Sequence, residues 1–181
     1  MQQSYSITDL LELTCKGLDE RNIEYMISGS IALSIYSETR NTRDIDLVVN
    51  LKKEDVDSFL EIFKGDFFFS RNHILKDIES GTMFNIISTV TAYKIDFVIK
   101  KNSEFRNPEF ERRQRKTILN SFDAWVVSVE DLIISKLIWI QELESEIQKN
   151  DIRELITNCN PDKKYVQHWI EKLNLKTYKL I

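Results

Sequence analysis

Two spacings of apolar residues alternate along the chain. Through "SITDLLELTCKGLDERN" Leu10, Leu11, Leu13 and Leu18 recur at helical spacing, and Ser6 with Asp9 three residues on makes a capping-box pattern, so an amphipathic helix is predicted there. "EYMIS" reads as a short strand, Gly29 opens a second helix that runs to about Ser37, and "DIDLVVN" alternates with the period of a strand. "KEDVDSFLEIFK" is a third helix, "DFFFS" a strand, and "NHILKDIES" a short helix. "MFNIISTV" and "YKIDFVIK" then read as two strands around Thr91-Ala92, paired antiparallel. "EFRNPEFERRQR" is a loop or short helix and "AWVVS" a strand. Ser128 opens "VEDLIISKLIWIQEL" with Asp131 completing another capping box, and two more helices follow, about Asp151 to Asn158 and Asp162 to Leu173.

This order of elements predicts an α/β (α+β) fold, with a sheet flanked by helices and a C-terminal helical lobe. The expected division is 1–127 for the core, with its N-terminal helix, and 128–181 for the lobe packed on it.

Composition narrows the classes. A hydrophobic fraction of 42% supports a real core, and 4 Gly with 2 Pro argue against disorder. Net charge is −4, so there is no global basic footprint for nucleic acid. One segment departs from that average: seven Lys/Arg and three Glu lie between Lys100 and Lys116, a local +4. Cys15 and Cys159 have no partnering pattern and read as free thiols in a reducing cytosol. With His73 and His168 as the 2 histidines, no zinc spacing arises. The N-terminus lacks a signal-peptide pattern and no apolar run approaches the roughly 18 residues of a membrane span, so a soluble, cytoplasmic protein is expected, with no membrane partner.

The candidate chemistry sits on strand faces. Side chains alternate across a strand, so Asp44 and Asp46 share the face opposite Ile45, Leu47 and Val49. In "YKIDFVIK" Lys94, Asp96 and Val98 likewise stand opposite Ile95, Phe97 and Ile99. If the two strands are neighbours, three carboxylates converge, and their repulsion calls for a cation. Oxygen ligands without His or Cys favour Mg²⁺ or Mn²⁺. Gly29, where a strand gives way to a helix, offers backbone N–H groups to a phosphate, and Ser30 adds a hydroxyl. Alone, a D-x-D strand is most often a solvated face and a Gly-Ser helix start only a cap. Together, phosphate cradle and metal-binding acids are the equipment of phosphoryl or nucleotidyl transfer.

On these residues the sequence resembles the polymerase-β-like nucleotidyltransferase superfamily, and within it the AbiEii/AbiGii-type group and its stand-alone bacterial relatives. "GSIALSIYSETRNTRDIDLVV" resembles their segment from the Gly-Gly or Gly-Ser turn to the acid-x-acid strand, with Arg40, Thr42, Asp44 and Asp46 in place. "MFNIISTVTAYKIDFVIKK" resembles the strand pair carrying the third acid, and "SVEDLIISKLIWI" to "DIRELI" a later motif with Lys136 and Asp151. The resemblance spans about Tyr25 to Ile156. It implies a nucleotidyltransferase-like mixed sheet, with Asp44, Asp46 and Asp96 catalytic and metal-binding, and Asp96 also the general base. Gly29, Ser30, Lys136 and the motif residues Arg40, Thr42 and Asp151 would serve the nucleotide. Implied partners are a nucleoside triphosphate and an RNA, tRNA-end or protein hydroxyl, with a cognate toxin or antitoxin in a phage-defence setting.

Lys136 has an argument of its own. At helical spacing it shares a face with Leu132, Trp139 and Ile140, so its ammonium must snorkel or meet an anion. Asp151 is explained equally by N-capping of a helix at "DIRELI". The basic segment reads first as a solvated face and second as a groove for RNA or triphosphate with Phe105 and Phe110 interleaved, which Arg40 and Arg43 could join. Trp125, Trp139 and Trp169 read as packing. Two rival functions remain: a degenerate nucleotide-binding or antitoxin-like module, and an enzyme acting on a small molecule such as an aminoglycoside.

Overall fold

A computed structural model describes residues 6–37, 42 and 44–181 of the chain. Helix α1 (Ile7–Glu20) forms behind the predicted box: Ser6 Oγ accepts the Asp9 N–H at 3.1 Å, and the Asp9 carboxylate accepts the Ser6 N–H at 2.9 Å. Such a cap contributes about 1 kcal/mol by satisfying N–H groups that have no helical partner. Leu10, Leu11 and Leu18 are buried as the spacing predicts, with Cys15 joining them, while Leu13 is only partly buried.

Among the described residues seven strands form one mixed sheet. They are β1 (Tyr25–Ile27), β2 (Asp44–Val49), β3 (Phe67–Phe68), β4 (Met83–Ser88), β5 (Lys94–Ile99), β6 (Gln114–Ile118) and β7 (Phe122–Val126), in spatial order β3-β4-β5-β2-β1-β7-β6. β2 and β5 lie parallel at the centre, β1 pairs antiparallel with β2, and β4 pairs antiparallel with β5 as expected. Ile45, Leu47, Ile95 and Phe97 are fully buried on one face. There Phe97 stacks on Phe84 with centroids 5.2 Å apart and meets Phe59 edge-on at 5.0 Å. Phe59 belongs to α3 (Val56–Leu60), framed by 3₁₀ turns at Lys53–Asp55 and Glu61–Phe63 where the sequence suggests one continuous helix. Buried aromatic pairs of this kind add about 0.5–1.5 kcal/mol each beyond their area.

α2 (Gly29–Tyr36) packs on β2, and α6 (Val129–Glu142) and α7 (Glu146–Cys159) pack on α2. α8 (Lys163–Lys172) lies on α6. One apolar core runs from the sheet into these helices through Leu132, Leu137, Ile152 and Val166. The remaining helices are α4 (Arg71–Ser80) and α5 (Arg106–Glu111), the latter within the segment read as loop or short helix. Among the described residues no helix is long and apolar enough to cross a membrane.

Three readings are corrected. "DFFFS" contributes only a two-residue edge strand, β3. β6 was hidden because its "QRKTI" is polar, as suits an edge strand whose charges guard against unwanted pairing. α7 begins at Glu146 behind Ser145, whose side chain accepts the Gln148 N–H, so Asp151 lies inside the helix and is not its cap.

Candidate active site

The parallel pairing of β2 with β5 does what the alternation alone cannot. It sets Asp46 directly beside Asp96 and Asp44 beside Lys94. Neighbouring strands run ~4.8 Å apart, so these side chains crowd one patch of the polar face. Asp44 is exposed at the start of its strand, Asp46 is half-buried and Asp96 is buried. Thr42 steadies the entry to the strand, its hydroxyl accepting the Asp44 N–H at 3.3 Å and donating to the Asp44 carbonyl at 3.2 Å.

The glycine answers to two constraints at once. Gly29 sits at φ +58°, in the left-handed region, and a Cβ built there would lie 2.0 Å from Asp46 Oδ2. Only a residue without a side chain lets the start of α2 approach the acid this closely. The Ser28 N–H donates to the Asp46 carbonyl at 2.9 Å, and the Ser30 backbone N–H donates to the Asp46 carboxylate. The helix N-terminus and the first acid strand are therefore locked together. Burial, followed by the charge of Asp96, pushes the Asp46 carboxyl above its ordinary range, while the Ser30 N–H opposes the shift. Asp46 is thus held poorly as an anion unless a cation joins it.

Asp96 makes the same demand by geometry. Lys94 Nζ lies 2.7 Å from its Oδ2, yet its Oδ1 is buried with no hydrogen-bond partner. Buried carboxylate oxygens are rarely left so. Among the described residues no group of three His, Cys, Asp or Glu side chains forms a ready-made metal site. Nonetheless an all-oxygen donor set, an orphaned Oδ1 and an acid destabilised by its neighbours fit a hard divalent cation such as Mg²⁺ or Mn²⁺.

Lys136 meets an anion, as its place on an apolar stripe requires. Its ammonium donates to Asp151 Oδ2 and to Gln148 Oε1, each at 2.9 Å, with both charged side chains over nine-tenths buried. Asp151 is therefore the partner that holds Lys136 in place. Gly29, Ser30, Asp46 and Lys136 line one pocket of about 450 Å³ that extends along α6 to Arg106 and Glu109. Asp44, Asp96, Thr42 and Asp151 stand around it without lining it. Arg40 and Arg43 lie outside the described residues.

Much of the basic segment is engaged elsewhere. Arg112 pairs with Asp131 at 3.1 Å, Arg113 with Glu24 at 3.1 Å, and Arg115 with Asp19 at 2.8 Å. The solvated-face reading suits Arg112 and Arg115, whereas Arg113 is mostly buried over Phe110 and Trp125. Lys100, Lys101 and Arg106 do line the pocket. Arg106 is bound to the buried Glu109 at 2.8 Å and to Ser135 Oγ at 2.6 Å, and burial raises the Glu109 carboxyl. Phe105 and Phe110 are buried and present no stacking surface. Trp125 and Trp169 pack as expected, but Trp139 is 61% exposed on the pocket wall. Its place three residues after Lys136 was the signal. A large apolar ring beside a charged pocket suits a flat ligand better than a core.

A helix start pressed onto an acid-x-acid strand, with a third acid on the parallel neighbour, defines a nucleotidyltransferase fold, and solved structures agree. The antibiotic-resistance factor ANT(2'')-Ia in solution is similar at 14% identity, over 91% of this chain and 89% of that chain, with a TM-score of 0.60. The same protein in complex with adenylyl-2''-tobramycin gives 14%, 91%, 95% and 0.58. An antigenic nucleotidyltransferase-like protein from Paracoccidioides brasiliensis gives 20%, 91%, 85% and 0.53. No curated protein matches by sequence. The chain belongs to the family described as nucleotidyltransferase of unknown function (DUF6036), whose model matches residues 7–172. Nucleotidyl transfer is accordingly the general class of its chemistry.

Proposed function

We propose that the protein transfers a nucleoside monophosphate from a nucleoside triphosphate to a hydroxyl acceptor. The observation that carries this reading is the register pair Asp46–Asp96 beneath the Gly29–Ser30 helix start, with Lys136 in the same pocket. Asp44, Asp46 and Asp96 would hold Mg²⁺ or Mn²⁺, which when bound neutralises phosphoryl charge. The Gly29 N–H and the Ser30 hydroxyl would bind the terminal phosphates at the helix N-terminus, while the Ser30 N–H holds the Asp46 carboxylate. Lys136, fixed by Asp151 and Gln148, adds a positive charge to the triphosphate side of the pocket. The side chain of Trp139 offers a face for the base. Asp96, which would complete the metal site, would also help to take the proton of the acceptor hydroxyl. The freed oxygen then attacks the α-phosphorus, and the bond from that phosphorus to the leaving pyrophosphate breaks.

For the acceptor we favour an RNA, tRNA-end or protein hydroxyl, in a bacterial cytoplasm and a toxin–antitoxin or phage-defence setting of the AbiEii type. Residues 128–181 would close over the nucleotide as a lobe on the 1–127 core. Lys100 and Lys101 at the far end of the pocket favour an anionic acceptor over a polycationic aminoglycoside, the charge of Arg106 being matched by Glu109. Intact acids argue against a degenerate binding module. Thermal unfolding with ATP, CTP, GTP and UTP in turn, with and without Mg²⁺, tests the reading on wild type and Asp46→Ala. A triphosphate at about 100 times its Kd adds about 2.7 kcal/mol, which the variant should lose. No Mg²⁺-dependent shift with any of the four would overturn it.

A further inference from the structure

Lys94 occupies ground that the acid cluster would otherwise leave to a metal ion. It stands opposite Asp44 in the strand register, and its ammonium is 2.7 Å from Asp96 Oδ2. The side chain is 37% exposed, so the ammonium has a path to solvent as well as to the acids. The contact satisfies one oxygen of Asp96 and leaves Oδ1 without a partner. A lysine on the same strand face, two residues before the buried acid, is thus an internal counter-cation that neutralises part of the cluster.

We propose that Lys94 is a positioning residue that sets the metal affinity of the site, making a divalent cation bind weakly to the protein alone and firmly only together with a triphosphate. Charge counting gives the reason. Three carboxylates and one ammonium sum to −2, and the ammonium beside Asp96 repels the first divalent ion as it enters; the phosphates of a triphosphate add the negative charge that offsets this. Without the ammonium the sum is −3, and the first ion no longer faces a like charge beside it. The identity of the triphosphate rests on the nucleotidyl-transfer reading, but the effect of Lys94 on metal does not.

The test is a titration with Mn²⁺ alone, free ion being read by electron paramagnetic resonance, on wild type, Lys94→Met, Lys94→Gln and Lys94→Arg. Thermal unfolding shows which variants are folded. Removing a unit charge a few ångströms from a divalent ion tightens binding by about tenfold or more even at the permittivity of water. Lys94→Met and Lys94→Gln are expected to show that gain, Lys94→Arg to stay near wild type, and Lys94→Met with Asp96→Asn to lose it. A non-hydrolysable triphosphate should narrow the gap between wild type and Lys94→Met. Equal or weaker Mn²⁺ binding by both neutral variants overturns the proposal, as does no measurable binding by either. If they gain affinity while no triphosphate binds, the transfer reading falls and this one stands. The converse result separates them the other way.

Discussion

Gly29→Ala probes the junction on which the site depends. The added Cβ would meet Asp46 at 2.0 Å from Oδ2, 2.6 Å from Cγ and 2.8 Å from Cβ. Holding alanine at a left-handed φ costs about 1–2 kcal/mol before any contact is considered. The carboxylate must also swing aside and give up the Ser30 N–H, and a hydrogen bond to a charged group contributes about 1.5–3 kcal/mol. The expected loss is therefore about 2.5–5 kcal/mol, the sum of those two ranges. At this chain length each kcal/mol lowers Tm by about 2–4 °C. Urea unfolding followed by far-ultraviolet circular dichroism measures the loss directly. The same substitution on an Asp46→Ala background removes Oδ2 and Cγ from the clash, so its cost should fall to about the backbone share, a coupling of roughly 1.5–3 kcal/mol. A loss below about 1 kcal/mol, or an equal loss in both backgrounds, would refute the reasoning.

Asp46→Asn should stabilise the metal-free protein at neutral pH. Because the folded carboxyl is raised, the contribution of Asp46 to stability is fully present below the ordinary carboxylate range and is lost as pH rises through the raised value, so the advantage of Asn should vanish as pH falls toward 4 in denaturant titrations. Lys136→Met takes the ammonium away from the buried Asp151 carboxylate, and breaking such a pair should cost about 3–5 kcal/mol, whereas Lys136→Met with Asp151→Leu should recover most of it in the same assay. Burial pushes the Cys15 thiol up to about 12, so a thiol-specific disulfide reagent should modify Cys159 alone in the native protein and both cysteines in denaturant. Rapid labelling of Cys15 in the native state would contradict its placement.

The local rules of the chain were legible from residue order. Capping at Ser6, alternation in "DIDLVV" and "YKIDFVIK", and the helix beginning at Gly29 follow from period and side-chain chemistry, which act over a few residues. The sheet with flanking helices followed from element order. The joint spacing of Gly29, Asp44, Asp46 and Asp96 pointed to phosphoryl or nucleotidyl transfer, which the resemblance to the polymerase-β-like superfamily narrowed to nucleotidyl transfer in a mixed sheet. β6 was not legible, because an edge strand is polar for reasons that depend on having no neighbour. Nor was the start of α7, where Ser145 outcompeted a better-looking Asp151. What only the tertiary structure decided is which long-range partners meet. The β2–β5 register set Asp46 against Asp96 and Lys94 against Asp44. Packing of α6 on α7 turned Asp151 from a cap into the partner of Lys136 and left Trp139 open at the pocket. Those outcomes depend on chain closure across dozens of residues, where many pairings satisfy the same local pattern and burial of the whole core selects one.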